Sequence, residues 1–111
     1  MDNPKNDRYY LDRLLNDLST IERHMAHATE ERFAADEVLQ DAMMFRLIQV
    51  SENTRKLTDA FKACYPQMPW SDVYGLRNRI VHDYGAVDLH IVYVTLTKDI
   101  PQLKKLLEQE V

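Results

Sequence analysis

The sequence predicts an all-α fold, a mostly antiparallel, up-and-down bundle of four main helices with a short C-terminal helix. Three observations carry this. Apolar residues recur at alternating steps of three and four, the spacing that gathers them on one face of a helix. Only two glycines occur in 111 residues, while Leu, Glu, Lys, Arg, Asp and Ala are abundant, which favours helices over tight turns. The strongest breakers cluster, as in Tyr65-Pro66-Gln67-Met68-Pro69, and leave long uninterrupted segments on either side. No repeat, linker or low-complexity segment divides residues 1–111, so one domain with one core is expected.

The first helix is expected from Asp7 to Ala28, with Leu11, Leu14, Leu18, Ile21 and Met25 forming one buried stripe. His24 and His27 fall in its last turn, with Glu30 and Glu31 just beyond. Such a group can suggest a metal, but histidines three apart at a helix end more often stay exposed and complement the helix dipole. No metal is expected there.

The second helix is expected from Asp36 to Cys64 and carries two stripes. Met43, Leu47, Val50, Leu57 and Phe61 form one; Val38, Ala42, Phe45 and Ile48 form the other. Contact on two sides follows, with this helix at the centre of the bundle. Glu52 extends the second stripe, and a carboxylate in that position needs a partner if it stays ionised. Arg77 is the natural one.

Pro69 suits the first turn of the third helix, and Gly85 suits the cap position at its end. Val87 to Thr97 is apolar on most sides, and Asp88 can cap its start. Asp99-Ile100-Pro101 then restarts or kinks the chain into a short final helix ending near Glu108.

One cysteine, Cys64, excludes an internal disulfide, and no Cys and His spacing resembles a zinc site. Pro4, Lys5 and Asp7 stand where a signal peptide would need an apolar run, and no apolar stretch reaches membrane-spanning length. A cytoplasmic protein is expected. The net charge of −4 and pI of about 5.5 argue against coating duplex nucleic acid through many phosphate contacts. A small basic cleft remains compatible with that charge. Arg46, Arg55, Lys56, Arg77 and Arg79 are the candidates to line it, although the first three read more simply as charges on helix faces.

The octet Arg77-Asn78-Arg79-Ile80-Val81-His82-Asp83-Tyr84 is the most informative stretch. On a helical wheel, Trp70, Val73, Tyr74, Leu76, Ile80, Val81 and Tyr84 fill one arc with Arg77 near its centre. Asn78 and His82 share another face, about 140° away. Chemistry alone leaves two readings. Arg77 can pair with a buried carboxylate while His82 is a solvated or capping residue, or the two can serve a phosphate.

The pattern R-x-x-x-x-H-x-Y formed by Arg77, His82 and Tyr84 resembles the signature of the HepT-like branch of the HEPN superfamily. Met68-Pro69-Trp70, Gly75-Leu76-Arg77-Asn78, Val87-Asp88-Leu89, Ile91-Val92, Asp99-Ile100-Pro101 and Leu103 are similar to the family pattern, as is Asp41-Ala42…Leu47-Ile48…Ser51-Glu52. Together these span roughly the last two thirds of the chain. Ser51 stands where the family often has glycine.

The resemblance implies a metal-independent toxin ribonuclease working as a two-fold homodimer, without a cofactor. It implies catalytic roles for Arg77 and His82; on their own chemistry Asn78 can orient His82 or the phosphate, Arg79 can line the cleft and Glu52 can stand behind Arg77 as supporting residues. It further implies that a partner nucleotidyltransferase of the MntA type silences the toxin by adenylylating Tyr84. The residue types suit RNA cleavage. His82 is the near-neutral acid or base of the octet, and the Arg77 fork can bind two phosphate oxygens. Because the two side chains diverge on one helix, a two-fold axis beside it would bring both pairs to a shared cleft. The alternative is a non-catalytic helical partner, or substrate-presenting subunit, of a small nucleotidyltransferase.

Overall fold

The computed structural model describes residues 6–109, and the regular structure among them is entirely helical. Pro4 and Lys5 lie outside the described residues. Helix α1 spans Asp7–Met25 and starts at Asn6, whose side-chain oxygen accepts from the Tyr9 amide at 3.2 Å. Its expected stripe of Leu11, Leu14, Leu18, Ile21 and Met25 is buried throughout. Each such side chain contributes about 2 kcal/mol of hydrophobic stabilisation before entropy. α1 stops before Ala28 because Thr29 caps a separate helix, α2 (Glu30–Ala35), by accepting from the Arg32 amide.

Helix α3 spans Glu37–Lys56, capped by Asp36 through the Leu39 amide. It does not run on to Cys64. Leu57 turns extended, and Thr58 caps a short α4 (Asp59–Ala63) through the Phe61 amide. The Asp7 carboxylate accepts from both the Thr58 amide and its hydroxyl, at 2.8 and 2.7 Å. The break is thus tied to the start of α1.

Helix α5 spans Trp70–His82 and ends three residues before Gly85. The Asp83 amide closes on the Arg79 carbonyl, and a 3-10 turn, Tyr84–Ala86, follows. Neither glycine has a positive φ, so Gly85 is not the left-handed cap expected of it. α6 (Leu89–Val94) begins at Asp88, whose carboxylate accepts from the His90 and Ile91 amides as expected. At Asp99 the chain neither stops nor restarts. It widens into a π turn, Thr95–Asp99, and continues as α7 (Ile100–Glu108). Pro101 has no N–H for the Thr97 carbonyl and its ring would crowd that oxygen, and the wider turn relieves both.

α1 packs against α3 and against α7 with the π turn before it, while α5 packs chiefly on α3. The centre is therefore shared by α1 and α3, and α5 is an edge helix. The first α3 stripe is buried from Met43 to Leu57. The second is not covered by the chain: Val38 is 79% and Phe45 56% exposed, Ala42 is exposed, and only Ile48 is half-buried. α5 meets α3 farther along, at Glu52. Asp17 of α1 clasps α3 by accepting from Arg46 Nη1 and Asn53 Nδ2, both at 2.8 Å. Ser51 is fully buried, and its hydroxyl has no partner among the described residues. No helix among the described residues is long and apolar enough to cross a membrane.

Candidate active site on α5

Arg77 leaves α5 on the side that packs against α3. Its Nε donates to Glu52 Oε2 at 3.1 Å, the pairing expected from the stripe, and its Nη1 donates to Asn78 Oδ1 at 3.2 Å. Both members of the ion pair are partly exposed, with Arg77 at 26% and Glu52 at 36%. The two bonds fix the plane of the guanidinium. Its remaining N–H groups have no partner among the described residues, so an anion can still be bound by the fork.

His82 is the last residue of α5. It is exposed, and its imidazole makes no hydrogen bond or ion pair among the described residues. Asn78, one turn before it, is exposed with its amide oxygen turned to Arg77. Arg79 is exposed and borders a cavity of about 440 Å³ between α3, α5 and α6–α7, which Asp72, Arg77 and Asp99 also line.

Tyr84 lies beyond the helix end, so the wheel that put it beside Arg77 does not reach it. Its phenol donates to Asp41 on α3. Asp41 precedes Glu52 by eleven residues, about 16 Å along a helix. The ring is 47% exposed. Its hydroxyl is pushed up to about 12, first by the hydrogen bond to Asp41, then by lost hydration and the charges of Asp41 and Glu37. Asp41 was not among the residues singled out as functional. The available signal was its place on α3, about 20° from Glu52 around the helix axis.

The other cationic candidates are engaged elsewhere. Arg46 is held by Asp17, Arg55 lies 5.4 Å from the centre of the Tyr74 ring, and Lys56 lies 5.6 Å from that of Tyr10. His24 and His27 are exposed, and Glu30 is paired instead with His90, Nδ1 to Oε2 at 2.6 Å. Among the described residues no group of three or more His, Cys, Asp and Glu is placed to hold a metal.

A single chain thus gathers Glu52, Arg77 and Asn78, joins Tyr84 to Asp41, and leaves His82 open at the helix end. The bundle therefore carries this arginine and histidine in the last turns of one edge helix and the tyrosine in the turn that follows it. The chain belongs to the ribonuclease HepT-like family, whose profile matches residues 14–110. It is similar to "Putative RNase TTE0752" of Caldanaerobacter subterraneus, 29% identical over 91% of this chain and 90% of that one. It is likewise similar to "Probable ribonuclease HepT" of Thermococcus cleftensis, 28% identical over 86% of each chain. "Gamma-glutamylcyclotransferase and putative RNase MJ0434" of Methanocaldococcus jannaschii is 31% identical over 91% of this chain, which spans only 46% of that protein. No solved structure gives a significant match.

Proposed function

We propose that this protein is a metal-independent endoribonuclease, the toxin of a toxin–antitoxin pair, acting as a two-fold homodimer and neutralised by adenylylation of Tyr84. The observation that carries the reading is the oriented Arg77. Glu52 and Asn78 fix its guanidinium while leaving N–H groups available, five residues before an exposed His82. In one chain the two side chains leave α5 about 140° apart. Pairing α5 with its symmetry mate brings both arginines and both histidines to one cleft. One imidazole then accepts the 2′-hydroxyl proton as that oxygen attacks the neighbouring phosphorus. An imidazolium protonates the departing 5′-oxygen, and the arginines hold the charge of the phosphorane. Arg79 and Asn78 border this cleft as supporting groups.

Tyr84 supplies the control. An MntA-type nucleotidyltransferase that adds an adenylyl group to its exposed hydroxyl introduces a phosphodiester anion that competes with RNA for the arginines. Support comes from family membership, from the relatives named as RNases, and from the exposure of Tyr84.

The test is cleavage of total cellular RNA by protein purified free of contaminating nuclease. His82→Ala and Arg77→Ala should each lower the rate roughly 100-fold to 10,000-fold with helicity retained, and chelators should leave wild-type cleavage intact. Wild-type protein that leaves every RNA whole points instead to a non-catalytic partner of the nucleotidyltransferase.

A further inference from the structure

Asp41, Phe45, Ile48 and Glu52 stand at successive four, three and four residue steps and so form one line along α3. A carboxylate ends the line at each side. Glu52 meets a cation, which accounts for its charge. Asp41 meets no cation among the described residues; it accepts a hydrogen bond from a neutral phenol at an exposed position. A hydrogen bond open to water contributes little to stability, so pinning the 3-10 turn is a weak reason for the contact. Its chemistry is more telling, because the hydrogen in that bond is the one that adenylylation of Tyr84 must remove.

We propose that Asp41 is the general base for the modification of Tyr84, taking the phenolic proton as the adenylyl group is transferred. The inference rests on the reading of Tyr84 as the adenylyl acceptor. In the step, a bond forms between Tyr84 Oη and the α-phosphorus of a nucleoside triphosphate held by the nucleotidyltransferase. The bond from that phosphorus to its bridging oxygen breaks, and pyrophosphate leaves with the electron pair. The Oη proton passes to the Asp41 carboxylate and from there to solvent.

Free phenolate cannot serve as the nucleophile in quantity. The hydroxyl, already raised to about 12, is almost wholly protonated near neutrality. A carboxylate bonded to the attacking hydroxyl solves this as in other transfers to hydroxyl groups. The oxygen becomes strongly acidic only as its bond to phosphorus forms, and at that moment the acceptor is in place. The product also acts on the fold. The phosphodiester has no hydrogen to donate and carries a negative charge beside Asp41 and Glu37, the carboxylates that face Tyr84 from α3, with Asp83 next to it in the chain. Repulsion then releases the modified side chain from Asp41, freeing the nucleotide to reach the arginines.

The experiment measures initial rates of adenylyl incorporation from labelled ATP and magnesium by the cognate nucleotidyltransferase. The substrates are the full chain and its Asp41→Asn, Asp41→Glu and Tyr84→Phe variants, assayed across the neutral pH range. Asp41→Asn keeps the shape and an acceptor oxygen but not the basicity. It should lower kcat about 100-fold with the KM for the protein substrate nearly unchanged, and Asp41→Glu should recover part of the rate. A partner-independent readout accompanies this: the Tyr84 hydroxyl, followed by difference absorbance against Tyr84→Phe, should titrate nearer the ordinary tyrosine value in Asp41→Asn than in the wild type. Asp41→Asn modified at the wild-type rate overturns the inference while leaving Tyr84 as acceptor. A loss confined to KM, or an unchanged phenol titration, overturns it equally. Wild-type protein that takes no label, or label retained by Tyr84→Phe, removes the acceptor reading and the inference together.

Discussion

Two arginine–carboxylate pairs join α3 to its neighbours, and their surroundings separate their roles. Asp17 is 5% exposed and accepts from both Arg46 and Asn53, so deleting it strands two donors in the α1–α3 seam. Glu52 has Arg77 Nε as its one polar partner among the described residues, with both side chains partly open to water, and such a pair contributes under about 1 kcal/mol. Asp17→Ala should therefore destabilise the fold by about 2–3 kcal/mol, allowing for the partial exposure of Arg46. Glu52→Gln should change stability by less than about 1 kcal/mol yet slow RNA cleavage about 10-fold, because Arg77 loses its orienting charge. Urea denaturation and RNA-cleavage rates on the same preparations check both; equal stability losses would make Glu52 a structural clasp only. The Glu52–Arg77 pair was legible because each residue is a charge on an apolar arc. Asp17 and Asp41 were not, since their partners lie 29 to 43 residues away and depend on how helices align in depth.

At the scale of elements, what could be read was the part set by periodicity: α1, the buried stripe of α3, α5 and the Asp88 start of α6. What could not be read was set by single side chains choosing between the backbone and a distant group. Thr29 and Thr58 each look tolerable inside a helix, yet each caps a new one, and for Thr58 the choice is fixed by Asp7. α2 is in turn joined to α6 by Glu30 and His90, whose imidazole is raised above its ordinary value chiefly by their hydrogen bond. The sign follows from that direction. A raised histidine contributes fully below its unfolded value of about 6.5 and loses the contribution as pH climbs through the folded one. Amide exchange in α2, corrected for intrinsic rates, should thus quicken as pH rises from mildly acid to above neutral. Glu30→Gln should flatten that dependence and return the His90 titration toward about 6.5. If His90 titrates identically in both proteins, the pair does not form in solution.

For the molecule as a whole, the uncovered second stripe of α3 becomes a clue to assembly. Val38 and Phe45 on α3, and Val81 at the end of α5, are three of its large exposed apolar side chains, and they belong to the two helices that carry Glu52, Arg77 and His82. A helix patterned for contact on two faces but covered on one has a face to spare, and in the proposed dimer a second copy would supply the same face in reverse about a two-fold axis. The net charge of −4 sharpens the case. A lone acidic chain has little to hold RNA, whereas the proposed dimer would concentrate the cations of two arginine-bearing edges at one seam. Burying a phenylalanine from each chain adds about 2–3 kcal/mol per side chain, so Phe45 is the place to break the pair. Phe45→Asp should give a monomer at micromolar concentration by sedimentation, with an unchanged helical spectrum and RNA cleavage lost, although Phe45 is not a residue of the proposed chemistry. A wild-type monomer, or a Phe45→Asp monomer that still cuts RNA at the wild-type rate, would return the site to a single chain and leave the separation of Arg77 from His82 without a remedy.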